Sequence, residues 1–420
     1  VISEVDVVAS LAGADVLAGR LHSHRRRSTE SATFYYDQAY LVRPDAYALD
    51  PALPLVTGAL HTPVGLGLFN AFRDSAPDRW GRNLIVRRER QRASSAGDTP
   101  RSPSEFAFLL GVRDDLRQGA LRFRDAQTGS YLEDDDVGIP AVTDLPELLD
   151  VAASVATDTA AASELRRLVR AGSSLGGARP KTHIIAPDGR VAIAKFPATS
   201  ADTWNVMAWE RVALRLAADA GVEVPRSELI KVANRSVLIV DRFDRTLTGQ
   251  RIGYASALTM LEAREGDERS YLDIAETIEE RSPHATNDLH QLWRRIVFYV
   301  LISNTDDHLR NHAFLYVGSG AWRLSPAFDI NPDPAPGPKD LSTAINEVET
   351  EASVDLLLEV APYFRLGQDA AIEVISDVER AVSRWRTVAK HTGLSTSEMD
   401  SMELAFEHDA AKDARTLTRT

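Results

Sequence analysis

Two carboxylates, an imidazole and two carboxamides stand together in Asn304-Thr305-Asp306-Asp307-His308-Leu309-Arg310-Asn311, and Ser325-Pro326-Ala327-Phe328-Asp329-Ile330-Asn331 follows closely. An Asp, an Asn five residues later (Asp306, Asn311) and another Asp in an apolar-flanked turn (Asp329) form the donor set of metal-assisted phosphoryl transfer. One carboxylate, Asp306, is placed to receive the nucleophile's proton. The carboxamide of Asn311 and the carboxylate of Asp329 are hard oxygen ligands of the kind magnesium takes against nucleotide phosphates. An acidic turn near a core is costly unless metal or substrate offsets its charge. His308 can orient Asp306 or meet a phosphate. A calcium-like acidic turn or a solvated helix end is the plainer reading of the same residues.

These groups need elements to hold them. Leu289, Leu292, Trp293, Ile296, Val297, Val300 and Leu301 recur at helical spacing, so a core helix delivers Asn304 and the acidic turn. Upstream, the glycine- and serine-rich stretch 172–181 contains Ser173, Ser174, Gly176, Gly177 and Lys181. Its glycines allow backbone N–H groups to approach phosphate oxygens and Lys181 adds a point charge, although an ordinary hairpin entry has the same composition. Lys195 ends the apolar run 191–196 and must snorkel or find an anion. A nucleotide phosphate is one such anion, with a helical glutamate orienting the amine. Glu210, at the edge of the next helix's apolar stripe, is the candidate, and a surface lysine at a strand end is the alternative. Asp241-Arg242-Phe243-Asp244-Arg245 leaves a strand for a linker, where free backbone groups can read adenine, or where charged residues merely pair with one another.

Along the chain, residues 1–125 read as a mixed α/β unit, with strands around Val5, Val7 and Ala9 and at 34–41. A helical stretch follows at 66–92, started by Pro77-Asp78 and carrying Arg87, Arg88, Arg90 and Arg92 at its basic end. Residues 126–244 hold two short helices at 145–170, then the order strand, strand, helix, strand, strand. From 245 to 420 the pattern is almost entirely helical, with an irregular Pro- and Gly-rich stretch at 332–338. The 420 residues exceed one ordinary core. With 48 basic and 61 acidic residues the net charge is −13, which argues against broad nucleic-acid binding but leaves room for a small basic patch or a DNA-binding partner. Without cysteine there is no disulfide, thiolate metal site or thiol nucleophile. No apolar run approaches the roughly 20 residues of a membrane span, and the N-terminus lacks a basic region and an apolar signal core, so a cytoplasmic protein with no membrane partner is expected.

Taken together, Ser174-Leu175-Gly176-Gly177-Ala178-Arg179-Pro180-Lys181, Ala194-Lys195-Phe196-Pro197, Asp241-Arg242-Phe243-Asp244-Arg245, Asn304 through Asn311 and Pro326-Ala327-Phe328-Asp329 resemble the HipA family, bacterial serine/threonine kinase toxins of type II toxin–antitoxin systems. The resemblance runs in order over nearly the whole chain, and Pro77-Asp78-Arg79-Trp80-Gly81 suits that family's N-terminal region. It implies an α+β, two-lobed protein-kinase-like (HipA-like) fold with an appended N-terminal α/β subdomain and an all-helical C-terminal lobe. It also implies Asp306 as catalytic base, Asn311 and Asp329 on Mg2+, and Lys195 on the ATP phosphates. Asp241 and Phe243 would offer backbone contacts to adenine, with Asp244 and His308 as ribose or phosphate contacts. Ser174, or Ser173 beside it, would be the autophosphorylated loop serine whose modification shuts the enzyme off. The implied partners are a helix-turn-helix antitoxin (HipB-like) that carries most of the contact with operator DNA, and a protein substrate of the aminoacyl-tRNA synthetase class. No His-Arg precedes Asp306, and Ile330-Asn331 rather than Phe-Gly follows Asp329; both fit HipA better than mainstream kinases. A catalytically silent co-repressor module and a small-molecule phosphotransferase are the rival readings.

Overall fold

The computed structural model describes residues 2–27, 29–132, 139–157, 159–172, 179–198 and 202–417. Its first unit is an antiparallel sheet of β1 (Glu4–Leu11), β2 (Ala14–Arg26), β3 (Thr29–Tyr36), β4 (Leu60–His61) and β5 (Leu121–Asp125), in the order β4-β3-β2-β1-β5. β1 lies between β2 and the edge strand β5, and Val5, Val7, Val8 and Ala9 are all buried, so its two faces are both covered. Asp6 lies opposite Arg20 on one neighbour and Arg124 on the other and accepts from both guanidinium groups, at 3.2 and 3.1 Å. The strand expected at 34–41 stops at Tyr36. Asp37 then caps α1 (Gln38–Leu41), its carboxylate accepting from the Ala39 N–H at 2.8 Å; a capping aspartate outweighs the β-propensity of the aromatic run.

The helical stretch of this unit divides into α2 (Asn70–Asp74) and α3 (Arg79–Ala96), followed by α4 (Glu105–Leu110). Asp78 caps α3 as its Pro-Asp start predicts, but the helix runs past Arg92 to a left-handed Gly97, so the four arginines lie within its body rather than at its end. Next come α5 (Leu145–Ala156) and α6 (Ala162–Gly172), then β6 (Lys181–Ile185), β7 (Val191–Lys195), α7 (Val206–Asp219), β8 (Ser227–Val232) and β9 (Arg235–Asp241). The four strands form one antiparallel sheet, β6-β7-β9-β8, with α7 packed on it. The expected order of strands and helix is present.

The C-terminal part is not all-helical. β10 (Tyr254–Ser256), β11 (Ala313–Gly318) and β12 (Ala321–Leu324) form a three-stranded sheet among α8 (Ala257–Met260), α9 (Tyr271–Arg281) and α10 (Ala285–Leu301). Gly318, Ser319 and Gly320 all take positive φ and close the β11–β12 hairpin, a turn signal that the short strands around it did not make conspicuous. α10 is the core helix: Leu289, Leu292, Trp293 and every residue from Arg295 to Ile302 are buried. α11 (Val354–Val360), α12 (Gln368–Val382) and α13 (Trp385–His391) pack around it and α7. One apolar cluster joins the N-terminal sheet, α7 and the C-terminal helices, and another joins Trp80 and Leu84 of α3 to α5, α6 and the small sheet. Among the described residues no helix is long and apolar enough to cross a membrane.

Candidate active site

The antiparallel register sets Lys181 directly opposite Lys195, so β6 and β7 present two ammonium groups at one end of the small sheet. Gly172 closes α6 against this point. A side chain there would come within 2.7 Å of the Lys181 carbonyl, which also accepts from the Trp80 indole at 3.0 Å. Lys195 donates to Glu210 on α7 at 2.5 Å and to Asp329 at 2.8 Å. Burial works against charge on Lys195, but Asp329 and Glu210 outweigh it, so its pKa is raised. Lys195 in turn holds Asp329 well below the usual carboxylate range, whereas burial pushes Glu210 up despite the same ammonium. Lys181, buried and without a hydrogen-bond acceptor among the described residues, has its pKa lowered by burial, against the pull of Asp329.

Asp329 sits at φ +57°, a left-handed backbone that costs a non-glycine residue on the order of 1 kcal/mol or more and tends to mark functional sites. The turn is tied to the end of α10, because the Asn304 side-chain oxygen accepts from the Asn331 N–H at 2.9 Å. Asn311 is buried, and its amide donates to the Asp306 carbonyl at 2.9 Å, leaving the carboxamide oxygen as its other end. Asn311, Asp329, Lys195, Glu210 and His308 line one cleft of about 450 Å3. Asp306 is exposed and lies outside that lining, one hydrogen bond from it through Asn311. Although the residue as a whole is exposed, the turn around its carboxyl removes part of the water there and raises its pKa, with His308 opposing and Asp329 adding to the rise.

The linker residues divide. Phe243 packs against Phe328, ring centroids 5.2 Å apart, and its backbone N–H and carbonyl make no hydrogen bond among the described residues. The Asp241 N–H, by contrast, is engaged by the Arg226 carbonyl at 2.9 Å, and its carboxylate pairs with Arg190. Asp244 is turned inward. It accepts from Arg242 at 2.8 and 2.6 Å, from Arg245 at 2.8 Å and from the Gly119 N–H at 2.7 Å, so the expected ribose or phosphate contact meets a carboxylate already saturated by internal donors. Burial would raise its pKa, but the two arginines drive it far below the usual value. Ser173, Ser174, Gly176 and Gly177 lie outside the described residues.

Two parts of the site escaped sequence reasoning. Arg73, Asp74, Asp78 and Arg82 bring the N-terminal unit into the cleft wall, and Arg310 reaches across to Asp74 at 3.0 Å and to Glu265 at 2.6 Å. No local pattern marks these residues beyond the Pro77-Asp78 helix start. Asp307 is wholly buried, opposite in character to its neighbour Asp306: it accepts from the Tyr271 hydroxyl at 2.5 Å and pairs with His312 Nε2 at 2.7 Å, while its carbonyl accepts from Thr343 at 2.6 Å. An Asp307→Ala variant strands both side-chain partners in the core, so stability should fall by about 2–4 kcal/mol. Urea unfolding of the two proteins measures this, and an unchanged midpoint would remove Asp307 as the anchor of the acidic turn.

The donor set suits magnesium. Asn311 and Asp329 offer hard oxygens, and among the described residues no group of three His, Asp or Glu converges that could hold a metal unaided. A cation here would complete its shell with phosphate and water oxygens, as magnesium does.

Residues 173–385 match the model of the HipA-like C-terminal domain. Among curated proteins the chain is 24% identical over 247 residues to "Putative kinase Y4mE" of Sinorhizobium fredii, covering 53% of this chain and 51% of that protein. It is also 24% identical over 183 residues to a "Putative kinase" of Haemophilus influenzae, covering 38% and 52% respectively. The chain thus spans about half the length of the curated relatives it matches. Among solved structures, a chain of the Shewanella oneidensis MR-1 toxin–antitoxin complex of HipA, HipB and operator DNA superposes with a TM-score of 0.66 at 15% identity, over 99% of both chains. The family match extends over just over half of the sequence and includes Lys195, Glu210, Asp306, Asn311 and Asp329, and on that ground the chain belongs to the HipA family.

Proposed function

We propose that the cleft binds ATP with magnesium and transfers its γ-phosphoryl group to a serine or threonine hydroxyl of a protein. The observation that carries this reading is the Lys195 ammonium shared between Glu210 and Asp329, beside Asn311. In the proposed roles, the packed pair Phe243 and Phe328 forms one apolar wall for adenine, and the free backbone groups of Phe243 read its edge. Lys195 and Lys181 meet phosphate oxygens, with Glu210 fixing the Lys195 amine. Asn311 and Asp329 would hold magnesium, which neutralises charge on the phosphates. Asp306 takes the hydroxyl proton as the new P–O bond forms and the bond to ADP breaks. Its raised pKa makes it a better base than a free carboxylate. Residues 1–125, 126–244 and 245–420 would serve as N-terminal subdomain, small lobe and catalytic lobe.

The family resemblance supports a finer reading: a type II toxin that phosphorylates a translation component of the aminoacyl-tRNA synthetase class, partnered by a HipB-like helix-turn-helix antitoxin. In it, Ser174 modifies itself to end activity, because a dianionic phosphoserine is repelled by the acidic cluster. Incubation with γ-labelled ATP and magnesium tests the catalytic reading: label should pass to protein, and nucleotide binding without any transfer would leave only a binding module. Intact mass after incubation should show one added phosphate that a Ser174→Ala variant lacks. The same added mass on that variant would move the modified position elsewhere, Ser173 first.

A further inference from the structure

The tip of the β2–β3 ribbon carries Arg25, Arg26 and Arg27 in succession, next to His24, and all four are exposed. None of the three arginines makes an ion pair or side-chain hydrogen bond among the described residues. Lower in the ribbon the charge is neutralised, since Arg20 pairs with Glu4 at 2.8 Å and with Asp6. The cross-strand neighbour of Arg25 is Glu30, the natural partner, but its carboxylate accepts instead from the Glu105 N–H at 2.8 Å. Three unpaired cations thus stand at one end of a chain whose net charge is −13.

We propose that this ribbon tip docks on the phosphate backbone of duplex nucleic acid. Ala32, Thr33 and Phe34 are buried, and Glu30 is half-buried against Glu105 of α4, but His24, Arg25, Arg26, Thr29 and Ser31 are all exposed, so most of the ribbon beyond the core meets solvent. Successive strand residues point to opposite faces, so Arg25 and Arg26 reach in opposite directions. A two-stranded ribbon fits the major groove, whose walls are phosphate on either side. A lipid surface fits less well, because 23–31 contains no apolar side chain to insert. The tip also concentrates positive charge on a chain whose overall acidity would otherwise repel a polyanion.

Anisotropy of a fluorescein-labelled duplex of about 20 base pairs, titrated with the full chain over a series of NaCl concentrations, tests the proposal. Wild type should bind at low salt. The Arg25→Ala/Arg26→Ala/Arg27→Ala variant should bind at least about tenfold more weakly, with the slope of log K against log salt reduced by about 2.7, roughly 0.9 per lost phosphate contact. The corresponding triple lysine variant should keep most of the slope, and near-UV circular dichroism should be unchanged in both. Equal slopes for wild type and the alanine variant would overturn the proposal. So would wild type failing to bind by about 100 µM, the weak end of non-specific affinity. Tighter binding to a single strand than to the duplex, or binding only to phosphatidylserine vesicles, would overturn it as well. The outcome is independent of phosphoryl transfer.

Discussion

Asp306→Asn should lower kcat for phosphoryl transfer by about 10^2- to 10^4-fold, the usual contribution of a positioned base, and leave nucleotide affinity within about twofold. The asymmetry follows from the geometry. The Asp306 carboxyl lies outside the lining of the cleft, and Asn311 holds the Asp306 backbone carbonyl rather than its side chain. An isosteric amide therefore removes the base without releasing the carboxamide beside it. The pH profile provides a second readout. Partial desolvation of its carboxyl raises the Asp306 pKa, so wild-type kcat/KM should fall on the acid side at a pH above that of an unperturbed carboxylate. The asparagine variant should lose that acid limb. Steady-state kinetics between about pH 4.5 and 8, with calorimetric titration of ADP, checks both. A variant within tenfold of wild type, or one that retains the acid limb, would move the base to another group.

The legible parts of this protein were the periodic and local ones. The apolar stripe of α10, the cap at Asp78 and the strand–strand–helix–strand–strand order each follow from residues close together in sequence. So does the stripe that sets Glu210 on the inner side of α7. Contacts between distant residues were not legible. Asp306 and Asp307 are neighbours of identical chemistry, and only Tyr271, His312 and Thr343 decide that one is exposed while the other is locked in the core. Asp244 likewise looks available until Gly119, 125 positions away, closes on it. The β10–β12 sheet was hidden because its strands are short and β10 lies far from the hairpin it joins. Nor does any local pattern show that Arg73 to Arg82 form a wall of the same cleft as Asp329.

Lys195→Met should abolish transfer, by at least about 10^2-fold, and also destabilise the fold. The ammonium is the shared partner of Glu210, 2% exposed in its side chain, and of Asp329, 35% exposed. Breaking a buried pair costs about 3–5 kcal/mol, and because Asp329 keeps access to water the lower end is expected here. The pH dependence distinguishes this from a simple packing defect. In wild type the depressed pKa of Asp329 contributes stability above its unfolded value, and that contribution is lost as pH falls through the folded one. Without Lys195 the two carboxylates face each other, with Lys181 the remaining cation, and their pKa values should rise. Raised carboxylates favour the folded state at low pH and lose that contribution as pH increases through the folded value. The gap in thermal midpoint between variant and wild type should therefore narrow from about pH 8 to about pH 5. A gap that widens on acidification would contradict the charge argument. Pairing Lys195→Met with Glu210→Gln removes one of the two opposed carboxylates and should restore part of the stability but none of the transfer. Recovery of transfer in that double variant would take Lys195 out of the mechanism, whatever its contribution to the fold.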